Sequence, residues 1–243
     1  FSLQRSDLRN WFSSVNLLTC TCRGLTLQCC IWVMYSVAMP SRNVVKHYIP
    51  GNYYHIYNRG VEKRIIFTDE FDYRVFMNLL KRHLQKIPDK DKRGHPYETY
   101  YGKLELLAFC LMPNHFHLFL YLNEDTDAIT EMMRKVTGSY AAYFNKRHKR
   151  VGHLFQSVFK ASMILDDAYL QHISRYIHLN PKGYAKWEFS SYNYYTKGWK
   201  ADWVKPDRVL SSFDKGDYES FVADYEGQKE IMDELKYELA NSV

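Results

Sequence analysis

The sequence predicts an α+β fold: a ferredoxin-like antiparallel sheet in the order β-α-β-β-α-β, followed by a further C-terminal helix. Three observations predict it. Four short runs are either rich in strand formers or apolar. Two stretches between them repeat apolar residues at three and four. Only three residues separate the two central runs.

Tyr53-Tyr54-His55-Ile56-Tyr57-Asn58 reads as the first strand and stops at Arg59-Gly60. A helix over Asp69 to Lys86 follows from Phe71, Val75, Phe76, Leu79, Leu80 and Leu84, with Pro88 beyond its end. Residues 88–102 read as a polar, mobile loop. Leu104 to Leu111 and His115 to Leu122 are apolar strands joined by Met112-Pro113-Asn114, which predicts a hairpin. The second helix, Asp125 to Asn145, gathers Ile129, Met132, Met133, Val136, Tyr140, Tyr143 and Phe144 in one stripe. Val158 to Leu165 makes the fourth strand, and Asp166 stands ready to cap a third helix that Pro181 closes. No segment repeats at a fixed long period.

A chain of 243 residues suits one main domain with appendages. Its 46% hydrophobic content excludes a wholly disordered protein, and its 25% charged content, with no long apolar run, argues against a membrane span. The net charge of +6 permits a polyanionic partner without establishing one. Charge is segregated along the chain. Between Met132 and Leu165 seven Lys/Arg (Arg134, Lys135, Lys146, Arg147, Lys149, Arg150, Lys160) occur with no acid. Interleaved with Tyr140, Tyr143, Phe144 and His148, they suit phosphate contacts beside stacking rings, or else a solvated face.

Residues 1–38 hold four of the five cysteines (Cys20, Cys22, Cys29, Cys30), and Leu25 to Ala38 is apolar for only 14 residues, too short to span a bilayer. This segment reads as a non-native or disordered extension ahead of a start at Met39. The body is assigned to 39–200. Residues 201–243, with eleven acids against five bases, form an acidic, partly helical tail that packs on the body or stays solvated. Cys110, the one cysteine after Met39, fits a reducing cytoplasm and no disulfide framework.

Two signals carry chemistry. In His115-Phe116-His117 the alternation of a strand sends both imidazoles to one face, about 7 Å apart along the strand, where they can share a cation. Apolar flanks on either side place these titratable rings mid-sheet, where they need a partner or a purpose. In Tyr176-Ile177-His178-Leu179-Asn180-Pro181 the tyrosine and the amide stand at i and i+4, on one helix face. Leu170, Ile173 and Ile177 mark the core direction, so Tyr176 sits on the flank, with His172 one turn earlier on the same side.

Together these motifs resemble the HUH single-strand endonucleases with one catalytic tyrosine, in particular the IS200-like (Y1) transposases and their REP-associated tyrosine transposase branch. The residues carrying the resemblance run in order: Tyr53 to Gly60, Leu111 to Leu118, Tyr143-Phe144-Asn145, Gly152 to Gln156, Phe159-Lys160-Ala161, Tyr176 to Pro181 and Ser190-Ser191-Tyr192. The match covers about Ile49 to Tyr195. It departs at Ser157-Val158, where the branch commonly has Gly-Arg.

The resemblance implies that Tyr176 is the nucleophile and that His115, His117 and the Asn180 amide oxygen ligate a divalent metal. Two nitrogens and one oxygen suit Mg²⁺ or Mn²⁺; zinc would call for a thiolate such as Cys110 turned inward. It also implies a nicking and rejoining activity on single-stranded or hairpin DNA, REP-like palindromes included, through a 5′-phosphotyrosine link. Arg59, Arg147, Arg150 and Lys160 are the candidates for backbone contacts. Tyr57 and Tyr143 suit either base stacking or the core, and His172 is a candidate for proton transfer. The expected setting is the cytoplasm, associated with the nucleoid and not with a membrane, with a monomer and a homodimer both open. The alternative readings are a domesticated, non-catalytic DNA-hairpin binder and a phosphohydrolase in which water attacks.

Overall fold

The computed structural model describes residues 48–164, 167–214 and 217–225, with side chains described outside 165–169. The extension before Met39, the cap expected at Asp166 and the end of the acidic tail lie outside the described residues.

The elements run β1 (Asn52–Arg59), α1 (Glu70–Leu84), β2 (Leu104–Met112), β3 (His115–Leu122), α2 (Ala128–Arg147), β4 (Lys160–Ile164) and α3 (Asp167–His178). Three short helices follow: α4 (Tyr192–Thr196), α5 (Asp207–Leu210) and α6 (Asp217–Ala223). The strands form one sheet in the order β2-β3-β1-β4 with every pair antiparallel, as the β-α-β-β-α-β pattern requires.

Alternation along β1 and β3 divides the core between the two faces of the sheet. Tyr54, Ile56, Phe116, Leu118, Leu120 and Leu122 face α1 and α2, where they meet Phe76, Leu80, Met132, Val136 and Tyr140. On the other face Phe119 packs with Leu170, Ile173 and Ile177 of α3. Strand β2 reads LELLAFCLM, too uniformly apolar for simple alternation. A register shift between Leu106 and Ala108 resolves this: Leu106 and Phe109 serve the first core, while Leu107, Ala108 and Cys110 serve the second.

Helix α1 starts one residue later than the sequence suggests because Asp69 is its cap, accepting from the Asp72 amide at 3.2 Å. Helix α2 starts at Ala128 rather than Asp125, with no side-chain cap from Asp127. The loop over residues 88–102 is more ordered than its composition suggests. The Asp91 carboxylate accepts from the Arg93 and His95 amides, Lys90 bridges to Pro96, and Tyr100 is fully buried.

The acidic segment packs on the body as far as it is described. Trp203 and Val204 join the first core, Tyr218 and Val222 of α6 join the second, and Arg208 pairs with Glu105. A buried polar chain ties α3 in place. The Phe109 amide donates to Ser191 Oγ (2.8 Å), which donates to His178 Nε2 (2.7 Å); His178 Nδ1 then donates to the Tyr218 hydroxyl (2.7 Å). That hydroxyl donates to Ser174 Oγ (3.0 Å), which ends on the Gln171 carbonyl (2.8 Å). Among the described residues no helix is long and apolar enough to cross a membrane.

Two outcomes test this packing. Phe116→Ala, which empties a fully buried ring site between β3 and α1, should lower unfolding free energy by about 3–5 kcal/mol in urea titrations. Ile87→Ala, at a 78% exposed position, should stay within about 0.5 kcal/mol. The second outcome concerns pH. Burial pushes His55 and His178 down to about 3 and lowers His83 as well. The unfolded chain binds these protons near pH 6.5 and the fold refuses them, so stability is full above 6.5 and falls as pH drops. The same titration should read at least about 1.4 kcal/mol less at pH 5 than at pH 7.

Candidate active site

The β1–β3 register pairs Tyr57 with His117 and Arg59 with His115. Both strands therefore send their odd-numbered side chains to the face under α3. His115 and His117 fall together there, their ring centroids 5.0 Å apart and perpendicular, closer than the strand repeat alone suggests. His55 joins them from β1. Its ring stacks against His117 (5.1 Å, 11°) and Tyr57 (5.1 Å, 19°), and its Nε2 lies 2.9 Å from His117 Nδ1.

Helix α3 lays Tyr176 across this layer. Its ring meets His117 edge-on at 5.4 Å and His55 at 5.9 Å. Tyr176 is only 4% exposed, so the helix flank expected from the sequence is covered by the sheet while still lining the cleft. Asn180 reaches the same cleft by another route than a shared helix face. The helix ends at His178, and Asn180 folds back so that its Nδ2 donates to the Tyr176 carbonyl at 2.9 Å. That carbonyl, in the last turn, has no amide of its own helix to accept from, and the carboxamide supplies the donor.

The cleft encloses about 460 Å³, and its wall includes Arg59, Lys63 and Lys160 with no carboxylate among the described residues. Lys160, first residue of β4, pairs in register with Tyr57, and its ammonium stands 5.8 Å from that ring. Arg59 Nε donates to Gln156 Oε1, while the Gln156 amide donates to the Arg59 carbonyl at 2.9 Å. The segment before β4 is thus zipped onto the end of β1, with Gly60 bridged to Phe155. Only glycine fits there: a Cβ on Gly60 would stand 2.4 Å from the Arg64 carbonyl oxygen.

The donor chemistry fits a divalent cation. His115 Nδ1 lies 2.6 Å from Asn114 Oδ1 and His117 Nδ1 2.9 Å from His55 Nε2, so Nε2 is the nitrogen each ring would offer a cation. Asn180 uses its amide NH₂ on the Tyr176 carbonyl, so its oxygen is the atom it would offer a cation. No three His, Cys, Asp or Glu side chains gather as a metal site among the described residues, so the set would be two imidazoles and a carboxamide. Among the described residues a zinc thiolate is not on hand. Cys110 is fully buried, burial pushes its thiol pKa up, and its sulfur contacts Met112.

Four sequence candidates stand elsewhere. Arg147 forms a fork to Asp69 and Asp72 that pushes the Asp69 carboxyl down to about 2. The Tyr143 hydroxyl donates to Asp72 as well. Arg150 is engaged by Asn145 Oδ1 and the His153 carbonyl. His172 lies against Phe221 and Tyr225 with Nδ1 on Arg175, outside the cleft; burial and then Arg175 lower its pKa. Conversely, His55, Lys63, Asn114 and Gln156 line the cleft without having been singled out. The available signal for His55 was its parity with Tyr53 and Tyr57 inside a run of strand formers.

The sequence model of a family described as "Transposase IS200 like" matches residues 51–180, from the foot of β1 to Asn180. Among solved structures, a REP-associated tyrosine transposase bound to a REP hairpin is 17% identical, with a TM-score of 0.47 over 71% of this chain and 94% of that one. A protein described as a transposase of Deinococcus radiodurans R1 is 16% identical, with a TM-score of 0.33 over 53% of this chain and 91% of that one. No curated protein matches the chain.

Arg147 and Arg59 should separate in stability measurements. Arg147→Ala strips a charged partner from the fully buried Asp72 carboxylate and should cost about 1–3 kcal/mol in urea. Arg59→Ala, at an exposed cleft position, should cost less than about 0.5 kcal/mol.

Proposed function

The chain belongs to the IS200-like transposase family, and on that premise we propose that it is a metal-dependent tyrosine transposase that nicks and rejoins single-stranded DNA beside REP-like hairpins. The observation that carries the reading is the Tyr176 ring set edge-on against His117 in a cleft it shares with His115 and Asn180.

The residues divide the work. Arg59, Lys63 and Lys160 draw the phosphodiester backbone into the cleft by their positive charge. Tyr57 offers a ring on which a splayed base can stack. The Tyr176 oxygen attacks the phosphorus; a bond from Tyr176 to phosphorus forms and the bond from phosphorus to the 3′-oxygen breaks. The phenol gives up its proton and the departing 3′-oxygen gains one, so the products are a 5′-phosphotyrosine and a free 3′-hydroxyl. His115, His117 and Asn180 would hold Mg²⁺ or Mn²⁺, which would supply positive charge beside the phosphate. The link keeps the energy of the bond, so a second 3′-hydroxyl can reverse the step and join strands without ATP. The packing of Tyr176 against His55 and His117 limits the motion of the phenol before attack.

The test incubates the protein with Mn²⁺ and a labelled library of single-stranded hairpins, then separates covalent products on denaturing gels. The wild type should form an adduct that chelation and Tyr176→Phe both abolish, while the variant binds the same hairpins within about threefold. Binding with no adduct would favour the non-catalytic binder, and cut DNA with no adduct would favour attack by water. Arg59→Ala and Lys160→Ala should each flatten the slope of log affinity against log salt by about 0.7.

A further inference from the structure

In the proposed chemistry His55 has only a packing role, against Tyr176 and His117. His55 is 2% exposed, its Nε2 meets His117 Nδ1 at 2.9 Å, and its own Nδ1 is buried with no hydrogen-bond partner. We propose that His55 is a positioning residue: it accepts the hydrogen of His117 Nδ1 and thereby fixes the ring with Nε2 presented as a metal ligand. The inference rests on the reading of His115 and His117 as ligands and adds a fourth residue to that site.

The argument is one of counting hydrogens. A neutral imidazole carries a single N–H. If His117 ligates through Nε2, that atom must hold a lone pair and the hydrogen must sit on Nδ1. His55 Nε2, 2.9 Å away, must then accept, which moves the hydrogen of His55 to its own Nδ1. That atom is the one without a partner. In the opposite assignment His55 donates, its unpartnered Nδ1 is merely an unused acceptor, and His117 carries its hydrogen on Nε2, where it cannot ligate. The pair therefore has two arrangements, one closed to a cation and one open to it, and cation binding selects the open one. His55, Tyr57 and His117 pack as a triangle of rings, their centroids 5.1, 5.1 and 6.0 Å apart, so each ring is bounded by the other two.

Stacking and hydrogen bonding can be separated by substitution. His55→Phe keeps a flat ring in the stack and removes the acceptor; His55→Gln keeps an acceptor oxygen and removes the ring. Titration calorimetry with Mn²⁺ alone, on the full chain without DNA, should show His55→Phe weakened by about tenfold or more and His55→Gln within about threefold of wild type. Thermal melts establish that each variant is folded. Nitrogen-15 NMR of the wild type with Mg²⁺ alone reads the same device without any substitution and should find the His117 hydrogen on Nδ1. Wild-type Mn²⁺ affinity in folded His55→Phe, or a hydrogen on His117 Nε2 with Mg²⁺ bound, would overturn the role of His55 and leave the ligand assignment standing. Failure of the wild type to bind either cation would instead overturn the ligand assignment, and the role of His55 with it.

Discussion

The antiparallel pairing of β1 with β3 sets which side chains the cleft receives. With Tyr57 opposite His117, the face under α3 collects His55, Tyr57, His115 and His117, and the other face collects Ile56, Phe116 and Leu118. A slip of one residue would reverse every one of these positions, sending imidazoles into the packing with α1 and α2. The apolar face holds the register: Phe116, Leu118, Leu120 and Leu122 are each fully buried. The chemistry of the cleft therefore depends on a hydrophobic interaction made on the opposite side of the sheet.

A second constraint acts on α3. Tyr176 can meet the histidines only if its helix is fixed in height and rotation over the sheet. The chain of hydrogen bonds from Phe109 through Ser191, His178 and Tyr218 to Ser174 provides that fixation, and Ile173 and Ile177 add buried contacts on either side of Tyr176. The polar chain is fully enclosed, so each missing member would strand a donor or acceptor away from water. His178 and Ser191 stand in the motifs that flank the site, and their placement gives those motifs a physical reason besides the chemistry of Tyr176 and Asn180.

Much of this was legible in the residues because it is local. Strand alternation put His115 and His117 on one side, and helical spacing marked the buried stripes of α1 and α2. What depends on distant pairing was not. His55 reads as one more member of a tyrosine-rich strand until the register sets it beside His117. Arg147 reads as a basic residue in an acid-free run, yet the acids that engage it, Asp69 and Asp72, come from α1, some 75 residues earlier. Asn180 was expected on the helix, but the residue before a proline is driven out of the helical region, and Pro181 ends the helix ahead of it. The cleft gained Gln156 only through the zipper between the segment preceding β4 and the end of β1.

The atom that joins the DNA decides whether Tyr176 is the nucleophile. Trypsin releases residues 176–182 as a short peptide, because Arg175 and Lys182 bound it. Mass spectrometry of the digested reaction, after nuclease trimming of the DNA, should find this peptide heavier by a 5′-linked nucleotide, with fragment ions placing the mass on Tyr176. The same mass on a different tyrosine, or cleaved DNA beside an unmodified 176–182 peptide, would contradict the assignment of Tyr176 as nucleophile.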